Sequence, residues 1–316
     1  MPRKPYPCYP CFLWLLFSVF SVASVALAAQ EAKAPQTDRT VAVTRGSRLN
    51  LEQQAGEVVI KTWEKDSLRI QARHSTRTTI DVQTTNNIVS IRSRSSGSSQ
   101  SVDYELTAPT WLPVKVSGQF IYIGIEGAQN EVSAETVNGD IVIKGGSGFV
   151  TAKSIQGEII VEDAKGRIVA SSVNEGIRIT GASGQISADS TNGDITMTKI
   201  DAKSVEVGTV NGNLRYDGTL SNGGQYRFAT HNGNITLVIP ESSNATFTVR
   251  TYNDDFSSNL PTKVVGEVRR GRRATYTLGD GGAEVEMESF SGAVRLRRPG
   301  TIAPPREKKQ DEQKDE

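Results

Sequence analysis

The sequence predicts an all-β protein, a parallel β-solenoid of about 18 residues per coil, capped by less regular β-strands at both ends. Three observations predict it. Asn138-Gly139-Asp140-Ile141 recurs as Gln156-Gly157-Glu158-Ile159, Asn174-Glu175-Gly176-Ile177, Asn192-Gly193-Asp194-Ile195, Asn211-Gly212-Asn213-Leu214 and Asn232-Gly233-Asn234-Ile235, at spacings of 18, 18, 18, 19 and 21 residues. In register, these units form columns of like residues. Composition agrees: hydrophobic residues are 36%, aromatic residues 6% and glycines number 29, so the few apolar side chains must be laid down in thin layers.

Each unit contributes two short strands. One has the columns Ile141, Ile159, Ile177, Ile195, Leu214, Ile235 and, two residues on, Ile143, Val161, Ile179, Met197, Tyr216, Leu237. The other has Val150, Ile168, Ile186, Val205, Tyr226, then Ala152, Ala170, Ala188, Val207, Phe228, then Ser154, Ser172, Ser190, Thr209, Thr230. Period-2 spacing puts each set on one strand face. Asn-Gly is also a hairpin signal, so an antiparallel sandwich is the competing fold. Hairpins do not require like residues every 18 positions, whereas stacked coils about 4.8 Å apart do. Gly and Asn at the corners supply sharp bends, and Asn138, Gln156, Asn174 and Asn192 are placed to hydrogen-bond amide to amide. The change from Ala to Val207 and Phe228, as coils lengthen, predicts a wider cross-section towards the C-terminal end, with no ligand-holding lumen.

Residues 123–240 form the regular coils. Upstream, alternation without a clean period assigns 40–122 to N-terminal coils and cap, interrupted at Pro109 and Pro113. Downstream of Pro240 the period breaks at Asn253-Asp254-Asp255, and 241–298 form C-terminal coils and cap, with the intervening insertion as the expected binding loop.

Arg3 and Lys4 precede an apolar run, Phe12 to Leu27, ending Ala26-Leu27-Ala28, the order of a secretory signal peptide over residues 1–29. The expected location is therefore exported, in the periplasm or at the cell surface or beyond. Residues 30–39 read as a disordered linker and 299–316 as a disordered charged tail. Cleavage removes Cys8 and Cys11 and leaves 34 basic against 35 acidic residues. Neither a disulfide nor a thiol site is then expected, nor a nucleic-acid partner, nor an integral membrane span after cleavage.

Catalytic and metal chemistry find little support. Gly145-Gly146-Ser147-Gly148-Phe149 matches the start of a calcium-binding nonapeptide, but Val150 stands where the carboxylate ligand is required. Asp140 and Glu158, one coil apart, and Asp194 beyond them are the carboxylates from which a polysaccharide lyase or hydrolase would be built, the rival reading. All three sit beside corners, where a solvated turn carboxylate is ordinary. His74 and His231 stand alone, and the column of His231 (Val137, Ile155, Val173, Thr191, Val210) suggests partial burial. Arg269, Arg270, Arg272 and Arg273 form the densest charge cluster; arginine forks suit phosphate or carboxylate groups, which makes these four the candidate anion-binding residues.

Trp63-Glu64-Lys65-Asp66 before an alternating strand, the serial Asn-Gly-Asp-Ile corners, and Gly279-Asp280-Gly281-Gly282 leading to Ser291-Gly292-Ala293-Val294-Arg295-Leu296 resemble the bacterial putative-adhesin family of β-strand-repeat proteins. The resemblance spans about residues 40–298. It implies a right-handed single-stranded β-helix of the bacterial cell envelope, and no catalytic motif. The expected function is a non-enzymatic, adhesin-like binding or structural module without cofactors. Its expected partners are envelope polysaccharide, anionic lipid head groups or another envelope protein; an accessory role in envelope-stress signalling is a third reading.

Overall fold

The computed structural model describes residues 37–96, 101–252, 256–265 and 273–300, and its secondary structure there is strand without helix. The residues read as a signal peptide, 30–36 of the expected linker and 301–316 of the expected tail lie outside the described residues.

The alternating apolar pattern becomes two parallel ladders. On one, Ile141, Ile159, Ile177, Ile195, Leu214 and Ile235 are successive in-register partners. On the other, Val132, Val150, Ile168, Ile186, Val205 and Tyr226 are. All are buried, and they join one continuous core. Successive copies run in the same direction, so the antiparallel sandwich does not form and the stack is solenoid-like. Extra residues in the longer units are absorbed as register shifts at Gly184/Gln185 and Thr198/Ile200. Where the column of alanines ends, Tyr216, Tyr226 and Phe228 fill the interior edge to face, with ring centroids 5.4 and 6.1 Å apart. Their hydroxyls are satisfied: Tyr226 donates to the Ala202 carbonyl and Tyr216 to that of Thr219, both at 2.6 Å.

The corners explain the recurring polar residues. A Cβ added to Gly157 would overlap the Gly139 carbonyl beneath it, so the tight stacking itself demands glycine. Inside each corner a buried hydroxyl closes the bend: Ser154 donates to Gly139 O (3.1 Å), Thr209 to Gly193 O (3.1 Å), Thr230 to Gly212 O (3.0 Å) and Ser289 to Gly233 O (2.9 Å). Outside, the amides form a ladder: Asn138 donates to Gln156 at 3.1 Å, Asn192 to Asn174 at 3.1 Å, Asn211 to Asn192 at 3.0 Å and Asn232 to Asn211 at 2.8 Å.

At both ends the spatial order departs from the chain order. Arg48–Trp63, the first long strand, lies between Val114–Ala128 on one side and Ile88–Ser95 with Asp103–Pro109 on the other, all parallel. Correspondingly, Ala283–Ser291 lies between Gln225–Asn232 and Ala245–Thr251, and Val294–Arg297 between Ile235–Val238 and Phe256–Ser258. The first and last coils are thus held one place in from the ends.

Antiparallel strands complete each end. Thr78–Thr85 pairs with Ile88–Ser95, Ser67–Arg73 with Asp103–Pro109, and Ala274–Leu278 with Ala245–Thr251. These cover strand edges that would otherwise invite association. Thr37–Ala42 adds to Ser67–Arg73, fixed by the Asp38–Arg69 ion pair at 2.6 Å. Residues 37–39 of the stretch expected to be a disordered linker are therefore strand, because that polar segment has a strand edge to join. The Trp63-Glu64-Lys65-Asp66 motif is the turn before Ser67–Arg73, where the Trp63 indole donates to Ser67 O at 2.7 Å.

Two truncations of the same side chain separate core from surface. Phe228→Ala empties a 1% exposed site and is expected to cost about 3–5 kcal/mol, whereas Phe290→Ala, at 47% exposure, should cost about 1 kcal/mol or less in denaturant unfolding. Gly157→Ala should destabilise by at least about 1–3 kcal/mol, since the added methyl meets backbone that cannot rotate away.

Candidate functional site

Of the four candidate anion-binding arginines, Arg269, Arg270 and Arg272 lie outside the described residues. Arg273 is exposed and lines an open groove of about 750 Å³ with Arg227 and the acidic Glu206, Asp280, Glu284 and Glu286. The nearby Arg297 and Arg298 are spent on structure. Arg297 donates to Ser257 O at 3.1 Å, and Arg298 bonds Asn259 O at 3.0 Å and pairs with Glu241 at 3.2 Å, tying the outer segment to the last coil.

The carboxylates proposed for glycosidic chemistry are likewise engaged. Asp140 accepts the Glu158 N–H at 2.8 Å, and Asp194 the Asn213 N–H at 2.7 Å, each capping the corner of the next coil. Glu158 pairs with Arg178 at 2.9 Å. His74 bonds the Thr37 hydroxyl at 2.8 Å and Ser75 O at 2.9 Å. Among the described residues no cluster of His, Cys, Asp and Glu is arranged to hold a metal ion.

The broad faces are electrically self-compensating. Lys153 pairs with Glu135, Lys144 with Glu162, Arg227 with Glu286, Arg250 with Glu288 and Lys61 with Glu105, at 3.1–3.9 Å between neighbouring coils. Such exposed pairs contribute little stability. Their consequence is that opposite charges sit next to one another at these positions from coil to coil.

What stands out is the column beside the amide ladder. Thr136 and Asn138 pair with Ser154 and Gln156, so Val137 lies next to Ile155, and the same register carries the column through Val173, Thr191, Val210, His231, Phe290 and Tyr252. Because the preceding hydroxyl column points inward, this one points out. Val137 is 42% exposed, Ile155 45% and Val210 45%. Eight rungs at about 4.8 Å make a stripe about 34 Å long. Scattered exposed apolar residues are ordinary, whereas here exposed apolar and aromatic side chains recur rung after rung, interrupted by Thr191.

His231 was expected to be partly buried in this column. It is exposed instead, stacked on Phe290 with centroids 4.6 Å apart and planes within 8°, and Tyr252 meets the other side of Phe290 at 4.6 Å. The sequence held the signal for this: a residue between an inward serine or threonine and a corner asparagine must face solvent.

Beside these rings runs a shallow trench of about 530 Å³. Gly208 and Ala229 interrupt a column that carries Asp189 on one side and Glu288 on the other, so the missing side chains leave the depression. Val210, His231, Phe290 and Tyr252 line one flank. The Asp189 carboxyl is pushed above its ordinary value, first by burial and then by the nearby Glu206 charge, against a hydrogen bond from Ser187. Glu288 is paired with Arg250 at 3.1 Å.

The search of curated proteins gives no match. Solved structures similar to the chain include a "putative cell adhesion protein" from Clostridium sporogenes, 10% identical, covering 83% of this chain and 99% of that one with a TM-score of 0.20. A "putative adhesin" from Bacteroides fragilis is 11% identical and covers 83% and 96%, with a TM-score of 0.39. A "putative lipid binding protein" from Parabacteroides distasonis is 11% identical and covers 84% and 97%, with a TM-score of 0.29. The profile of one family matches residues 47–297, from the first buried strand to the last, and so takes in the regular coils and the displaced coils at both ends. The chain belongs to the Toastrack DUF4097 family.

Proposed function

We propose that this protein is an exported, non-enzymatic binding module of the bacterial cell envelope. In this reading it is a right-handed single-stranded β-helix, and its working surface is the apolar stripe from Val137 to Tyr252. The observation that carries the proposal is the stripe itself: eight consecutive rungs keep their side chains in solvent between a column of inward hydroxyls and a column of hydrogen-bonded amides. A solenoid needs apolar residues inside its coils and gains nothing from a row of them outside.

Chemistry on a substrate has no comparable support, since Asp140, Glu158 and Asp194 serve the corners and their neighbours. The leader-like residues 1–29 support export, and the near-zero charge of the remainder supports a partner chosen by short-range contact rather than by long-range attraction.

The test is retention on a sedimentable bacterial envelope fraction. Replacing Val137, Ile155, Val173 and Val210 together by serine is expected to weaken co-sedimentation at least tenfold while leaving the unfolding midpoint within a few degrees. Undiminished retention of the folded quadruple variant would remove the stripe from the function.

A further inference from the structure

The stripe's neighbours say what kind of molecule it suits, and the following rests on the stripe being a binding surface. We infer that it takes a linear, uncharged glycan, with a sugar ring seated in the trench against Phe290, His231 and Tyr252.

The first argument is width. The apolar column is one residue across, and with the amide ladder it is two, whereas a stable protein interface engages about 20–30 residues on each side. A narrow row suits a chain molecule better than a globular surface or a second copy laid alongside.

Among chain molecules, a peptide would be expected to pair its backbone with a strand edge. The backbone along this stripe is already committed to its own neighbours: Asn174 N–H bonds Ile155 O at 3.1 Å, Asn192 N–H bonds Val173 O at 2.8 Å and Asn211 N–H bonds Thr191 O at 2.8 Å. An acyl chain requires an apolar enclosure. Here the row is open to solvent on one side and bordered by amides on the other.

A glycan chain fits both borders. A pyranose ring offers an apolar C–H face and a rim of hydroxyls. Asn192, Asn211 and Asn232 each donate one N–H to the preceding rung and have a second N–H and further acceptor capacity, which suits hydroxyl groups along the ladder. In the trench, the stacked His231, Phe290 and Tyr252 present their exposed edges as an apolar wall against which the C–H face of a sugar ring can pack. The carboxylates at its two ends, Asp189 and the Arg250-paired Glu288, accept from hydroxyls and disfavour an anionic polymer.

The experiment uses the envelope fraction in four forms: untreated, oxidised with periodate and quenched, delipidated, or protease-treated. The inferred glycan carries free hydroxyls on adjacent carbons, which the neighbouring donor and acceptor atoms of the amide ladder would meet, and periodate cleaves such vicinal diols. The inference predicts that binding by the full protein falls at least tenfold after periodate and survives the other two treatments. On untreated envelope, Phe290→Ala should weaken binding about tenfold and Phe290→Trp should restore it, and soluble polygalacturonate should not compete. Binding that survives periodate, or is lost to delipidation or protease instead, overturns the glycan assignment, as does an unaffected Phe290→Ala. Competition by polygalacturonate overturns the requirement for an uncharged chain. If the serine variant of the stripe loses binding while periodate has no effect, only the glycan inference fails; if that variant binds normally, the proposed function fails with it.

Discussion

In-register parallel hydrogen bonding between coils is the constraint on which the rest of this structure depends. Once Ile159 is held beside Ile141 and Ile177 beside Ile159, every other position in the coil is also placed beside its equivalent about 4.8 Å away. Like must then tolerate like. Apolar columns satisfy that requirement by burial, the serines and threonines by donating to corner carbonyls, and the asparagines by amide-to-amide bonds. Charged columns satisfy it by alternating sign, as Glu135 with Lys153 and Lys144 with Glu162 do. The corner at Gly157 has no side chain at all because the Gly139 carbonyl occupies the space.

The same constraint makes a surface out of a single residue choice. On an ordinary fold, one exposed valine is one exposed valine. On this one, repeating it yields a row of eight rungs, continuous with the aromatic rings where the coils lengthen. The trench arises by the same arithmetic in reverse, since Gly208 and Ala229 remove side chains from two adjacent rungs of an otherwise bulky column. In the proposed reading, site and fold therefore share one set of columns, and the residues of the stripe differ from those of the core only in the direction in which they point.

Much of this is written in the sequence. The inward columns, the corner glycines, the hydroxyl column and the amide ladder follow from spacing alone. The ends do not, because period-2 alternation states which face of a strand is apolar and is silent on which strand lies next to it. Arg48–Trp63 and Ala283–Ser291 have the right pattern for any place in the stack, and only long-range pairing puts each between two segments that are not its neighbours in the chain. The stripe was legible in principle: Thr136 faces in, so Val137 faces out. Reading its apolar character as a sign of burial, as for His231, missed that the alternation had already decided the matter. The arginine cluster drew notice by charge density, yet its described neighbours Arg297 and Arg298 serve to hold segments together.

Disulfide trapping across the stripe tests this architecture most directly. In a Cys8→Ser, Cys11→Ser background, paired cysteines at 137 and 155 stand one rung apart, within the roughly 4.4–6.8 Å Cα separation that a disulfide spans, whereas cysteines at 137 and 173 stand two rungs apart, at about 9.6 Å. Mild oxidation should join the first pair rapidly and leave the second reduced. Equal joining of both pairs, or joining only of the second, would contradict an in-register stack with this column in solvent.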